Sequence, residues 1–143
     1  MHSGYASPSN FAHNGLLELI DQGGKVLTLQ TEDVKTLCFV RDFLPGDDPE
    51  RLTRRVFAGR PRSPGLWIRL RFRDGDEMEG LANNDVSLLD PEGIQFTPPD
   101  LRSNTQRIFV PRAALTSLEV LAVIRPPSAP RRTAAQQEGL FAE

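Results

Sequence analysis

LWIRLRFRDGDEMEG, residues 66–80, is the stretch that decides the fold class. Leu66, Ile68, Leu70 and Phe72 alternate with Trp67, Arg69, Arg71 and Arg73, and a period of two places one face of a strand on a core and the other in water. Asp74, Gly75 and Asp76 supply turn chemistry, and Glu77 to Gly80 resumes the alternation. A loop of those three residues predicts Arg73 opposite Glu77, Phe72 opposite Met78 and Arg71 opposite Glu79, which sets apolar against apolar and cation against anion. A two-residue Asp-Gly loop would instead set Phe72 against Glu77, so the longer loop is expected, with the hairpin ending at Gly80.

Downstream, a turn around Pro91 to Gly93 leads to a short strand, Ile94 to Thr97, stopped by Pro98 and Pro99. A polar loop over residues 100–105 precedes two more predicted strands, Arg107 to Val110 and Leu118 to Ile124, separated by a turn from Pro111 to Thr116. No segment is long enough for a helix of ten residues, and short strands at close spacing point to a small barrel or a strongly bent sheet.

Upstream, the chain repeats itself. VLTLQTEDVKTLCFVRDF, residues 26–43, lies without gaps over RIFVPRAALTSLEVLAVI, residues 107–124, so that Leu27, Leu29, Val34, Leu37 and Phe39 fall on Ile108, Val110, Leu115, Leu118 and Val120. Gly15 to Asp21 then matches Gly93 to Asp100 with one residue added, and Gly4, Tyr5 and Ala6 match Gly80, Leu81 and Ala82. The expected fold is therefore all-β: two related SH3- or Sm-like barrel or bent-sheet units, the first lacking its opening strand. The expected limits are 1–43 for the incomplete first unit, 44–63 for a Pro- and Arg-rich connector, 64–125 for the second unit and 126–143 for a disordered tail. A missing strand leaves its neighbour with unpaired amides and carbonyls. Residues upstream of Met1, a strand donated by another chain, or closure by the second unit would each cover it, and dimerisation through residues 4–43 is the form the second would take.

Composition narrows the function. The net charge of −2 gives no whole-molecule field for nucleic acid or acidic lipid. No apolar run approaches the ~18 residues of a span and no secretory leader is encoded, so a cytoplasmic protein without membrane attachment is expected. The single cysteine, Cys38, lies in an apolar run and reads as a strand residue. Of the 17 basic residues all but Lys25 and Lys35 are arginine, and nine arginines fall between Arg41 and Arg73, a bias toward planar recognition of phosphate or carboxylate. His2 and His13, the only histidines, offer neither a base held by an orienting group nor ligand spacing. Asp47, Asp48 and Glu50 lack calcium-loop spacing and read as a solubilising turn. No catalytic residue, cofactor or metal is expected.

The runs VKTLCFVRDF, RLTRRVF, GLWIRLRFRDGDEMEGLA and SNTQRIFVPRAAL resemble a bacterial family of uncharacterised proteins over nearly the whole chain to Ile124. That resemblance implies no activity; it implies a basic-apolar strand before the segment matching Gly4 to Phe11, which this chain lacks. A looser likeness is to the PilZ domain, which binds cyclic di-GMP through an RxxxR motif and a later [D/N]xSxxG motif. Arg51, Arg54 and Arg55 in RLTRR and Asp85 and Ser87 in DVSLLD match its beginning, while Asp90 stands where the motif has glycine. The implied ligand is a cyclic dinucleotide. FRDGDEMEG is similar to the bent strand pair of Sm-like barrels, which implies RNA stacked on Trp67 with Arg69 and Arg71 on phosphates, against which Glu77 and Glu79 stand as neutralising partners. The leading expectation is a non-enzymatic binding or regulatory module acting through protein–protein association or as a homodimer, with the cyclic-dinucleotide receptor and then the RNA binder as alternatives.

Overall fold

The computed structural model describes residues 2–7, 10–43, 55–100 and 104–126, and these are all-β with short 3-10 turns. The strand predicted from Leu66 runs Gly65–Phe72 (β6) and buries Leu66, Ile68, Leu70 and Phe72. Its partner runs Glu77–Ala82 (β7), two residues past the expected end.

The expected register is corrected. Arg71 opposes Glu77, Leu70 opposes Met78, Arg69 opposes Glu79 and Ile68 opposes Gly80. The loop is Arg73-Asp74-Gly75, one residue earlier than predicted. Gly75 adopts φ +93° and its amide donates to the Phe72 carbonyl at 3.0 Å, while the Phe72 amide donates to the Asp76 carbonyl at 2.8 Å. A three-residue hairpin loop needs its last residue in the left-handed region, so glycine fixes where the loop sits. Each side chain keeps its predicted face because both strands slide by one residue.

The first region holds Gly4–Tyr5 (β1), Ala12–His13 (β2), Leu16–Asp21 (β3) and Val26–Gln30 (β4) in one sheet. β1 and β2 lie end to end along one edge of β3, and β4 covers the other. Asn14, at φ 53°, and Gly15, at φ 77°, form the two-residue connection between β2 and β3. Leu37–Val40 (β5) leaves this sheet and pairs with Thr105–Pro111 (β9), which also pairs with Gly93–Phe96 (β8). Leu115–Ile124 (β10) pairs with β6, giving the order β10-β6-β7 in a third sheet.

No closed barrel results, which corrects the barrel-like expectation to three sheets. β7 and β8 touch through one bridge, Leu81 to Thr97, with amide to carbonyl bonds of 3.0 and 2.8 Å. At Gly80 the Phe96 ring packs directly on the backbone: any Cβ there would overlap it. The main core spans β6 to β10 around Ile68, Leu70, Met78, Phe96, Ile108 and Val110, whereas a smaller cluster joins Phe11 and Leu17 to Phe109.

The expected unit limits are crossed by the β5·β9 pairing. The two aligned stretches share one local form, strand then 3-10 turn then strand, with the turns at Thr31–Asp33 and Arg112–Ala114, positions the alignment superposes. Residues 44–54 of the connector and 127–143 of the tail lie outside the described residues, as does the Asp47, Asp48 and Glu50 cluster.

Candidate functional site

Trp67, Arg69 and Arg71 share the outer face of β6, as alternation requires. That face is occupied by the protein itself. Glu79 is 6% exposed on β7; it accepts the Trp67 indole N–H at 3.0 Å and the Phe57 amide at 3.3 Å, and pairs with Arg69 at 3.5 Å. The Glu79 amide donates to the Arg55 carbonyl at 2.7 Å, and Phe57 meets the Trp67 ring edge-on with centroids 6.2 Å apart. Arg71 pairs with Glu77 at 2.7 Å. The described part of the connector, at Arg55 and Phe57, thus lies along the hairpin, and the indole and both guanidiniums have carboxylate partners.

The residues expected to hold a cyclic dinucleotide are not brought together where they can be described. Arg51 and Arg54 lie outside the described residues. Arg55 pairs with Asp76 at 3.3 Å at the hairpin tip. Asp85 follows the opposite end of β7, a strand of roughly 20 Å at about 3.3 Å per residue. Asp85 caps the 3-10 turn Val86–Leu89, accepting the Ser87 amide at 2.9 Å and the Ser87 hydroxyl. Those two bonds hold the Asp85 carboxyl below the usual aspartate range.

Lys35 joins the first region to the hairpin tip. Its ammonium pairs with Asp74 at 2.8 Å and with Asp76, and sits 5.0 Å from the Phe72 ring centroid. Hydrogen bonding from Lys35 lowers both carboxyl pKa values, assisted at Asp74 by the Asp76 amide and at Asp76 by Arg55. A second tie runs from the Gly15 amide to the Glu92 carboxylate at 3.2 Å.

Sequence reading missed two features. A cavity of about 430 Å³ lies between Phe57–Pro64 on one side and Leu81–Asn83 with Thr97–Pro99 on the other. Arg60 and Arg62 are the charged residues in its lining, which suits it to an extended or anionic segment. Its proline-rich walls were the available signal. The second feature is a set of open strand edges: among the described residues no strand pairs with the outer side of β4 or of β10, nor with the free side of β1, β2 or β5. Val26 on β4 is 68% exposed and Val120 on β10 is 50% exposed, and Tyr5, Ile20 and Val123 are exposed as well. Tyr5, Ile20 and Val26 are register partners in turn across β1, β3 and β4, so they form one apolar row ending at an open edge.

Among the described residues no group of three or more His, Cys, Asp or Glu is placed to hold a metal ion, and no helix is long and apolar enough to cross a membrane. The model of a family of unknown function, DUF6982, matches residues 1–122, and the chain belongs to that family. No curated protein and no solved structure matches it.

Proposed function

We propose that this member of the family is a non-enzymatic module for protein–protein association, built from two related β units that offer open strand edges to a partner. The observation that carries the reading is that, of the open strand edges, those of β4 and β10 have exposed valines beside them. Unpaired strand edges template the addition of a further strand, with backbone bonds supplying affinity and alternate side chains supplying selectivity. β4, reading VLTLQ, carries none of the lysine, proline or bulge with which edges are commonly blunted.

The two-unit organisation is supported by equivalent hydrogen bonds. The Thr31 amide donates to the Gly15 carbonyl at 2.9 Å, and the aligned Arg112 amide donates to the Glu92 carbonyl at 3.2 Å, so in this reading Gly15 corresponds to Glu92 and the expected match of Gly15 with Gly93 shifts by one residue. The pairing of Tyr5 with Ile20 has its counterpart in the Leu81 to Thr97 bridge. In this reading β3, β4 and β5 correspond to β8, β9 and β10, and β6 has no counterpart in the first unit.

The test is site-specific photocrosslinking in the source cell, with a light-activated residue placed at Val26, at Val123 and, as control, at Arg71. The reading expects protein adducts from the two edge positions and not from Arg71. Absence of adducts at both edges, with the protein expressed and folded, would reject it.

A further inference from the structure

The pairing of β5 with β9 is an intrachain example of the contact the open edges invite. β5 is the last strand of the first unit, and it adds antiparallel to the outer edge of β9 in the second, with Leu37 opposite Phe109, Cys38 opposite Ile108 and Phe39 opposite Arg107. The strand aligned with β5 is β10, and the strand aligned with β9 is β4. Among the described residues, each leaves unpaired the side that corresponds to the one its aligned strand uses in the β5·β9 pairing. We infer that a second copy of this chain completes the pattern, β10 of one copy adding to β4 of the next. The inference rests on the two-unit reading above and names the partner.

The alignment fixes the register. Leu118 of one copy lies opposite Thr28 of the other, Glu119 opposite Leu27, and Val120 opposite Val26.

Backbone direction tests this register independently, since in an antiparallel ladder the amide and carbonyl of one residue point to the same side and alternate along the strand. The Thr31 amide donates to Gly15 and the Lys25 carbonyl accepts from Asp21, so the odd residues of β4 turn toward β3, and Val26 and Thr28 point outward. On β6 the Phe72 amide turns toward the hairpin, so Arg69 and Arg71 turn toward β10 and bond their partners Glu119 and Ser117. Leu118 and Val120 therefore point outward. Both pairs that need outward backbone groups have them.

Side chains agree. Val120, beside Val26, extends the exposed row Tyr5, Ile20, Val26 by one residue. Glu119, opposite Leu27, has exposed Lys25 as its diagonal neighbour, within reach of an ion pair. The template pairing shifts register just after Phe39, and β10 shifts just after Val120, the aligned position.

Such a contact joins two different surfaces, so it propagates head to tail into a ring or an open chain instead of closing on a two-fold axis.

The test uses the full chain with Cys38→Ser and one new cysteine per variant, Val26→Cys or Val120→Cys. Opposed Cα atoms in a hydrogen-bonded antiparallel pair are about 5.5 Å apart, inside the range a disulfide spans. Mixing the two variants under mild oxidation should give covalent dimers, and neither variant alone should. Dimers from Val120→Cys alone or Val26→Cys alone would overturn the head-to-tail pairing, as would no crosslink in the mixture.

Light scattering of the unmodified chain should show a mass above one chain that rises with concentration. Thr28→Pro removes an outward amide while sparing the ladder to β3, and it should return the mass to a single chain; unchanged association in a folded Thr28→Pro protein overturns the inference. A chain that stays single at every concentration yet forms adducts with another protein through Val26 rejects the second copy and keeps the association reading. A single chain with no adducts rejects both.

Discussion

The sheet around β3 and the core from β6 to β10 are built from similar local pieces and end in different states. In the second region every alternate residue of β6 is buried, and it packs on Met78, Ile94, Phe96, Ile108 and Val110. In the first, β4 buries no residue, and the strands beside β3 on its other edge are two residues long. The difference follows from β6, an eight-residue strand paired on both sides. The first region has no strand of that length among the described residues, and its small cluster contains Phe109, which belongs to β9. The second region holds the larger core, and each region ends in an open edge, β4 in the first and β10 in the second.

The sharpest way to break that comparison is a pair of matched truncations. Ile68→Ala in the closed core should cost about 4 kcal/mol by urea denaturation, from lost transfer energy and a cavity that cannot collapse. Leu29→Ala on half-exposed β4 should cost about 1 kcal/mol. Equal losses would mean that the first region is as tightly packed as the second. Gly80→Val should come next, at about 3 kcal/mol, because its side chain has to displace the Phe96 ring packed on β7.

Glu79→Ala should destabilise by about 2 kcal/mol, since the Trp67 indole and the Phe57 amide lose a nearly buried acceptor. The same change should shift Trp67 fluorescence. A loss within experimental error would show that Phe57 and Arg55 dock on the hairpin without this carboxylate.

The smallest expected effect concerns the link between the regions. Lys35→Met removes the partner that lowers the carboxyl pKa values of Asp74 and Asp76. A depressed folded-state pKa contributes stability above the unfolded value, and that contribution is lost as pH falls through the folded one. The stability gap between the parent protein and Lys35→Met should therefore be present at neutral pH and close in acid, below the ordinary aspartate range. Carboxyl NMR titration should show both groups moving upward in the variant.

How much was legible in the sequence follows from which interactions are local. Alternation in 66–72 identified a strand and its buried face without error, because burial on one side writes a period of two. The register slipped by one residue on each strand because charge pairing was satisfied in either alignment, and the positive φ of Gly75 decided between them. That slip also hid Glu79, which was assigned to Arg71 and in fact holds Arg69, Trp67 and Phe57. β1 and β2 are too short to carry periodicity, although Asn14-Gly15 was a readable turn signal for β2. The Asp85 and Ser87 spacing was legible, and the structure places those residues in a cap of the local turn. The crossing of β5 to β9 joins residues about seventy positions apart, so no local pattern could announce it.

Amide hydrogen exchange measured across a dilution series tests the central claim most directly, because it reads the open edges residue by residue. The account predicts that the outward amides of Val26, Thr28, Leu118 and Val120 exchange rapidly in dilute protein and become protected together as concentration rises, while Leu27, Leu29 and Glu119 are protected throughout. Protection of Val26 and Thr28 already present at the lowest concentration, or rapid exchange at all four outward positions at the highest, would contradict it.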